Sequence, residues 1–474
     1  ECVHAEPGIV WLSPIFACSY TGENMHGYDA TDFFALNPYF GTQADLKRLL
    51  DEAHGRGMRV LFDFVPNHTA SAHPWFQDPA TRGTWYVWQP SVPAGWGLPW
   101  GGGTSSDVWR PSGGSYFYTA FSTGTMADLN YREPAVREKM AEVVRHWLDR
   151  GFDGLRMDAV RYLYEDGPGL QADRPATFAQ LKAFRTVLDE YRSAVGRPTP
   201  DGDPSKRSHK VMIAEAWTDL EQVIPYFGSG SDAFHLCLDF QAPGAIASAI
   251  DRQDARRITD LWERQRTLMP AGARMAAFDS NHDNVISRPG TRYASQKRRQ
   301  ILAEAMTLLA PGTPILYYGN EVGLPGAAGN DLDLRRPMDW TAVQAQSADP
   351  ESLLSWCRYL IRARLDYPAL RGDFAVLPTD APEGQALAML RLAGDQRVLV
   401  VANFTQAPLT FTVRGLADQG APANGPVAAI LGDLKGRGSL SGADYTVTDL
   451  PPSGVRILHV AGPGFGGTLH GDLP

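Results

Sequence analysis

Cysteines, basic clusters and long apolar runs are all scarce in this chain, and each scarcity excludes something. Only four of the 474 residues are cysteines: Cys2, Cys18, Cys237 and Cys357. No two stand at metal-site spacing, which argues against zinc and leaves them as buried or free thiols. No apolar run reaches the roughly 18 residues a membrane-crossing helix needs, so no membrane partner is expected. Lys and Arg total 44 against 53 Asp and Glu, a formal net charge of −9. A mildly acidic chain without a Lys/Arg cluster argues against a nucleic-acid partner. No G-x-G-x-x-G follows the early strand-like segments, so a dinucleotide fold has no support. Neither oligomeric state nor compartment is legible.

Aromatic residues, by contrast, are plentiful. There are 12 Trp and 17 Tyr, and several cluster between Trp75 and Tyr118. Core packing is the default for a single Trp. A cluster in a Gly- and Pro-rich, weakly periodic stretch also offers flat apolar faces to sugar rings.

Strand-like and helical patterns alternate through about residue 325. GIVWLSPIF (8–16) and RVLFDFVPNH (59–68) read as buried strands. Between them Leu46, Leu49, Leu50 and Ala53 recur at helical spacing over 43–56. Residues 69–125 read as a long insertion. A helix follows over 134–150, with Val136, Met140, Val143, Val144 and Trp147 on one stripe. Further strand-like segments fall at 151–160, 210–217, 234–240, 275–283 and 314–318. Repeated strand–helix–strand order predicts parallel strands, as a (β/α) barrel or a doubly wound sheet. From about residue 370, LAMLRLA, RVLVVANF, LTFTV, YTVTDL and GVRILHV predict a small antiparallel β-domain.

A buried parallel strand should be apolar throughout. Asp63, Arg156, Asp158, Glu215, His282 and Asp283 break that rule, each toward the C-terminal end of its strand. In a (β/α) barrel that end is the active-site face. Any single charge could belong to a buried ion pair; the same placement on four strands points to a site. Arg156 and Asp158 are two apart and share a face, so the guanidinium should keep Asp158 ionised and nucleophilic. Glu215 follows the apolar run Val-Met-Ile-Ala, and partial burial there should favour its protonated form. One ionised and one protonated carboxyl is the arrangement for glycoside hydrolysis. Asp283 adds a third carboxylate, and His282 a donor to a hydroxyl.

DFVPNH (63–68), GLRMDAV (154–160), EAW (215–217) and NHD (281–283) resemble the four main motifs of the α-amylase superfamily of retaining glycoside hydrolases, in order. MADLN (126–130), HGYD (26–29), LYYGNEVG (316–323) and RRPMDW (335–340) also fit. The resemblance runs from about residue 8 to 460. It implies a (β/α)8-type TIM barrel over 1–68 and 126–369, and an inserted domain over 69–125 after the third barrel strand. A C-terminal antiparallel β-domain follows over 370–462, then a loose tail over 463–474. Residues 1–7 look like neither the first strand nor the first helix of such a barrel, so seven strands are expected and the first is missing.

The resemblance implies these roles. Asp158 attacks the anomeric carbon, Glu215 is the general acid/base, and Asp283 stabilises the transition state. Arg156 positions Asp158, His68 and His282 bind hydroxyls, Tyr28 is a stacking platform and Asp63 supports the network. Asn67 and Asp128 match positions that hold a structural calcium ion, and both are hard oxygen donors. The implied substrate is an α-1,4-glucan such as starch, or a maltooligosaccharide. Relatives that are strict exo-α-glucosidases carry Asp three residues before the counterpart of Tyr28, where this chain has Met25. Ala159 occurs in relatives acting on α-1,4-glucosides and in some that isomerise maltose to trehalose. Transfer or isomerisation is therefore the second reading, and a non-catalytic carbohydrate-binding or transport-accessory protein the third.

Overall fold

The computed structural model describes residues 8–19, 26–121, 124–191, 210–229, 232–283, 285–421, 427–431, 440–441 and 444–461. Residues 1–7, Met25 and the tail expected over 463–474 lie outside these. The chain forms two compact units, one of residues 6–238 with 270–273, the other chiefly of 239–269 and 274–474.

Five strands of the first unit pair in parallel, each with the next: β1 (Ile9–Leu12), β2 (Arg59–Phe64), β3 (Gly154–Met157), β4 (Val211–Ala214) and β5 (Leu236–Leu238). In the second unit β6 (Arg274–Ala277) pairs in parallel with β7 (Thr313–Pro314). That makes the seven strands expected. They are shorter than the apolar runs suggested. GIVWLSPIF breaks after Leu12, ahead of Pro14, and resumes as Phe16–Cys18, which pairs antiparallel with Ala30–Leu36. Proline cannot donate to a ladder. The ladders of β3, β4 and β6 end before Asp158, Glu215 and Asp283, so those side chains lie on the segments leaving the strands.

Two helices of the first unit show why they form. Helix α1 (Gln43–Gly55) opens with a reciprocal capping box between Thr42 and Asp45 and buries Leu46 and Leu50. In α2 (Pro134–Asp149) proline takes the first turn, Glu133 caps it, and the predicted stripe is buried. Each such side chain contributes about 1.5–3 kcal/mol by leaving water.

In the insertion, Trp88–Gln89, Trp109–Ser112 and Ser115–Tyr118 form a small antiparallel sheet. Phe76, Tyr86, Trp88 and Phe117 pack ring against ring there. Trp96, Trp109 and Tyr118 form a second knot. Most of the aromatic cluster is therefore core. Trp100 departs from that and is 51% exposed.

The second unit joins barrel helices to the C-terminal sheet. Helices α3 (Ala242–Arg252), α4 (Arg256–Leu268), α5 (Lys297–Leu308) and α6 (Leu353–Asp366) share one apolar cluster with Leu387, Met389, Val398, Val400 and Ile457 of that sheet. Buried Arg391 reaches from the sheet to the carbonyls of Leu309 and Gly372. A second cluster lies between the two C-terminal sheets, around Leu390, Val401, Phe411 and Val447.

Candidate active site

The parallel register of β2 and β3 sets Asp63 opposite Arg156. Both are fully buried, and Arg156 Nη1 donates to Asp63 Oδ1 at 2.8 Å. Asp158, two residues on and facing the same way, accepts from the same nitrogen at 2.8 Å. Nη2 lies 2.9 Å from Glu215 Oε2. One buried guanidinium thus gathers carboxyl groups from three adjacent strands. Glu215 Oε2 also accepts the Ala159 N–H at 2.9 Å. Ala159 makes this possible by turning into the left-handed region, φ 49°, which is sparsely used by non-glycine residues. Trp11 and Tyr28 complete the wall. Trp11 Nε1 and the Tyr28 hydroxyl donate to Asp63 Oδ2 at 3.2 and 3.0 Å, and the guanidinium lies 4.9 Å from the Trp11 ring centroid.

Burial pushes Asp158 up to about 6, with the nearby Asp63 adding to the rise; the Arg156 guanidinium opposes it without overcoming it. Asp63 is likewise raised to about 6 by burial, with Arg156 opposing. A guanidinium beside a carboxylate favours ionisation, but it is here shared among three carboxyls in a buried site. Burial holds His68 down at about 4, so its ring is neutral at ordinary pH. Its Nε2 lies 2.9 Å from the Tyr28 carbonyl, and only 1% of the residue is exposed.

In the second unit, His282 and Asp283 are held by Arg335. Its Nε donates to the His282 carbonyl at 3.1 Å and its Nη2 to Asp283 Oδ1 at 3.4 Å. The His282 ring lies 3.5 Å from Asp283 Oδ2.

Asn67 and Asp128 are also brought together. Asn67 Nδ2 donates to Asp128 Oδ2 at 3.0 Å, and the Ala120 N–H to Oδ1 at 3.0 Å. Asn67 Oδ1 is buried with no hydrogen-bond partner. Burial raises Asp128 well above the usual carboxylate range, and the charge of nearby buried Glu165 adds to it. An orphaned amide oxygen next to a buried carboxyl offers hard oxygen donors of the kind a calcium ion takes, while Glu165 is paired with Arg132 at 2.9 Å. Among the described residues, no three His, Cys, Asp or Glu side chains already converge on one point.

Sequence reasoning missed Trp11, Arg335 and Glu165. Trp11 sat inside an apolar run that read as plain core. Arg335 lay in the RRPMDW segment, where nothing local separates it from Arg336. The only local signal for Glu165 was an acidic residue following aromatic ones.

The profile of the family described as alpha amylase, catalytic domain, matches residues 8–360. The chain belongs to this family. It is 29% identical to a trehalose synthase of Thermus thermophilus, over 87% of this chain and 48% of that protein. It is 31% identical to an α-glucosidase of Apis mellifera, over 72% of this chain and 61% of that one. The chain thus spans about half to three fifths of the length of these two relatives. In fold it resembles an α-amylase from H. orenii, with TM-score 0.75, 24% identity, and 95% and 90% of the two chains covered. The (β/α) barrel with a C-terminal antiparallel sheet is accordingly its fold, and of the two arrangements compatible with the strand order the doubly wound sheet is set aside.

Proposed function

We propose that this α-amylase-family chain is a retaining enzyme that cleaves α-1,4-glucosidic bonds of starch-type glucans or maltooligosaccharides through a covalent glycosyl-enzyme. The observation that carries the reading is that Asp158 and Glu215 sit on the two terminal nitrogens of one guanidinium, at 2.8 and 2.9 Å. Inverting enzymes separate their carboxyls by about 6.5–9.5 Å to admit a water, retaining ones by about 5–5.5 Å. Two carboxyls held on one guanidinium lie close together, which supports retention.

In this reading Asp158 attacks the anomeric carbon as its bond to the leaving oxygen breaks, and Glu215 gives that oxygen its proton. Water then loses a proton to Glu215 and attacks the same carbon, releasing Asp158. Arg156 orients both carboxyls, Asp63 and Trp11 hold Arg156 in place, and Tyr28 and His68 form the wall for the sugar. Asp283 is assigned to transition-state stabilisation and His282 to a hydroxyl. A calcium ion held by Asn67 and Asp128 would tie the start of the insertion to its end and act in structure, not chemistry.

The second reading keeps the same first step and lets a sugar hydroxyl take the place of water. The resemblance to a trehalose synthase supports it. Incubation with maltoheptaose, products separated over time, tests both. Shorter maltooligosaccharides are expected; longer or rearranged products favour transfer; a folded, monodisperse sample giving neither overturns the enzymatic reading.

A further inference from the structure

Strands β3 and β4 part after the pair Met157 and Ala214, so Asp158 and Glu215 sit on segments beyond the ladder. These segments hold each other by other means. The Glu215 N–H donates to the Met157 carbonyl at 3.0 Å, and Glu215 Oε2 accepts the Ala159 N–H at 2.9 Å. In the opposite direction Arg161 Nη1 donates to the Trp217 carbonyl at 2.7 Å. Each segment thus sends a side chain to the other's backbone. Trp217 lies just beyond Glu215 in the chain and Arg161 just beyond Ala159, so the Arg161 contact fixes the far side of the segment that carries Glu215.

Arg161 is itself fixed from behind. Its Nε and Nη2 donate to the two oxygens of Asp173 at 3.0 and 2.5 Å, the bidentate geometry that gives a charge pair direction as well as strength. The hydroxyl of the fully buried Tyr226 donates to Asp173 Oδ1 at 2.5 Å. The Asp173 N–H returns to the Arg161 carbonyl at 3.0 Å. Asp173 takes φ 56° and Ala159 φ 49°, a region that residues other than glycine seldom adopt. Such conformations persist where surrounding contacts over-determine them, and they gather at functional sites. Here they flank Arg161 on both sides.

We propose that Arg161 is a positioning residue for Glu215: by holding the Trp217 carbonyl against Asp173 it sets the direction from which the acid/base reaches the leaving oxygen. The inference rests on the functional reading above, in which Glu215 gives that oxygen its proton as the bond to the anomeric carbon breaks. Asp158 depends less on this clamp. Arg156 Nη1 holds its carboxyl, and its N–H donates to the Phe64 carbonyl at 2.8 Å. Loss of Arg161 therefore impairs protonation more than attack.

The test compares two substrates on the full chain, unaltered and carrying Arg161→Ala, Arg161→Lys or Asp173→Asn. Maltoheptaose needs a proton on its leaving oxygen, whereas α-maltotriosyl fluoride releases fluoride with little such help. The quantity read is kcat/KM, which reports the first chemical step. Arg161→Ala should lower it about a hundredfold on maltoheptaose, the scale of a catalytic group misplaced by about an ångström, and only severalfold on the fluoride. Arg161→Lys cannot reproduce the fork and should recover little. Asp173→Asn should act in the same direction, more weakly. Guanidinium ion added to Arg161→Ala should restore part of the loss on maltoheptaose and leave the fluoride unaffected. Equal losses on both substrates would mean that Arg161 only supports the fold, overturning the positioning role while the catalytic reading stands. Should Arg161→Ala fail to fold, Asp173→Asn decides by the same comparison. An unaltered, folded chain that processes neither substrate would overturn the catalytic reading and the positioning role with it.

Discussion

Arg156 is the residue on which the site depends, because its guanidinium pairs with Asp63, Asp158 and Glu215 together. The roles assigned to the last two make a direct prediction. Asp158→Ala or Glu215→Gln should lower kcat by about three orders of magnitude or more while the protein stays folded. Turnover near that of the unaltered chain from either variant would refute the assignment. The pH dependence follows from burial. In the proposed mechanism Asp158 must be ionised to attack, and its carboxyl is raised to about 6. The acid limb of kcat/KM should therefore fall near pH 6, as a property of the coupled carboxyls rather than of one residue. An acid limb near pH 4 would mean the guanidinium outweighs burial. Stability runs the other way. With folded pKa values raised from 3.8 to about 6, Asp63 and Asp158 stabilise the fold fully below pH 3.8, and this contribution is lost as pH rises through 6. The pH that favours activity is thus the one at which these groups favour the fold least.

Among the elements, strand β3 is the most constrained. Its first residue, Gly154, has φ 150°, and a Cβ there would fall 2.0 Å from the Val211 carbonyl oxygen of β4. Gly154→Ala cannot be relieved by a rotamer change, since the obstacle is backbone. It should cost more than about 3 kcal/mol and strip soluble protein from expression. A melting temperature within a degree or two of the original would show that β3 and β4 can part without consequence. The insertion makes the opposite point. Its Trp-rich composition left both core packing and sugar stacking open, yet most rings pack against one another, and Trp100 is 51% exposed.

For the whole molecule, the C-terminal sheet shares its inner core with helices α3 to α6. Truncation after residue 369 should consequently yield aggregated protein, because Leu302, Met306 and Leu360 would lose their cover. A soluble, active truncated chain would disprove this dependence. If a cation sits between Asn67 and Asp128, thorough chelation should lower the melting temperature, since a ligand that binds only the folded state stabilises it by mass action. An unchanged melting curve would remove both residues from a metal role. Much of this was written in the sequence. Parallel strands, their count, the helix stripe of α2 and the polar residues at strand ends follow from local patterns of apolar periodicity, and those patterns act over a few residues. Family motifs added Tyr28, His68, Asn67 and Asp128. What only tertiary structure decided was the balance among distant charges. Asp63, Asp158 and Glu215 are up to 152 positions apart in the chain and share one guanidinium because three strands pair in register. Burial, which is a property of everything packed around them, then sets how far the Arg156 guanidinium can hold Asp158 ionised. The same physics sorted the tryptophans, since whether a ring is core or surface depends on which other rings reach it.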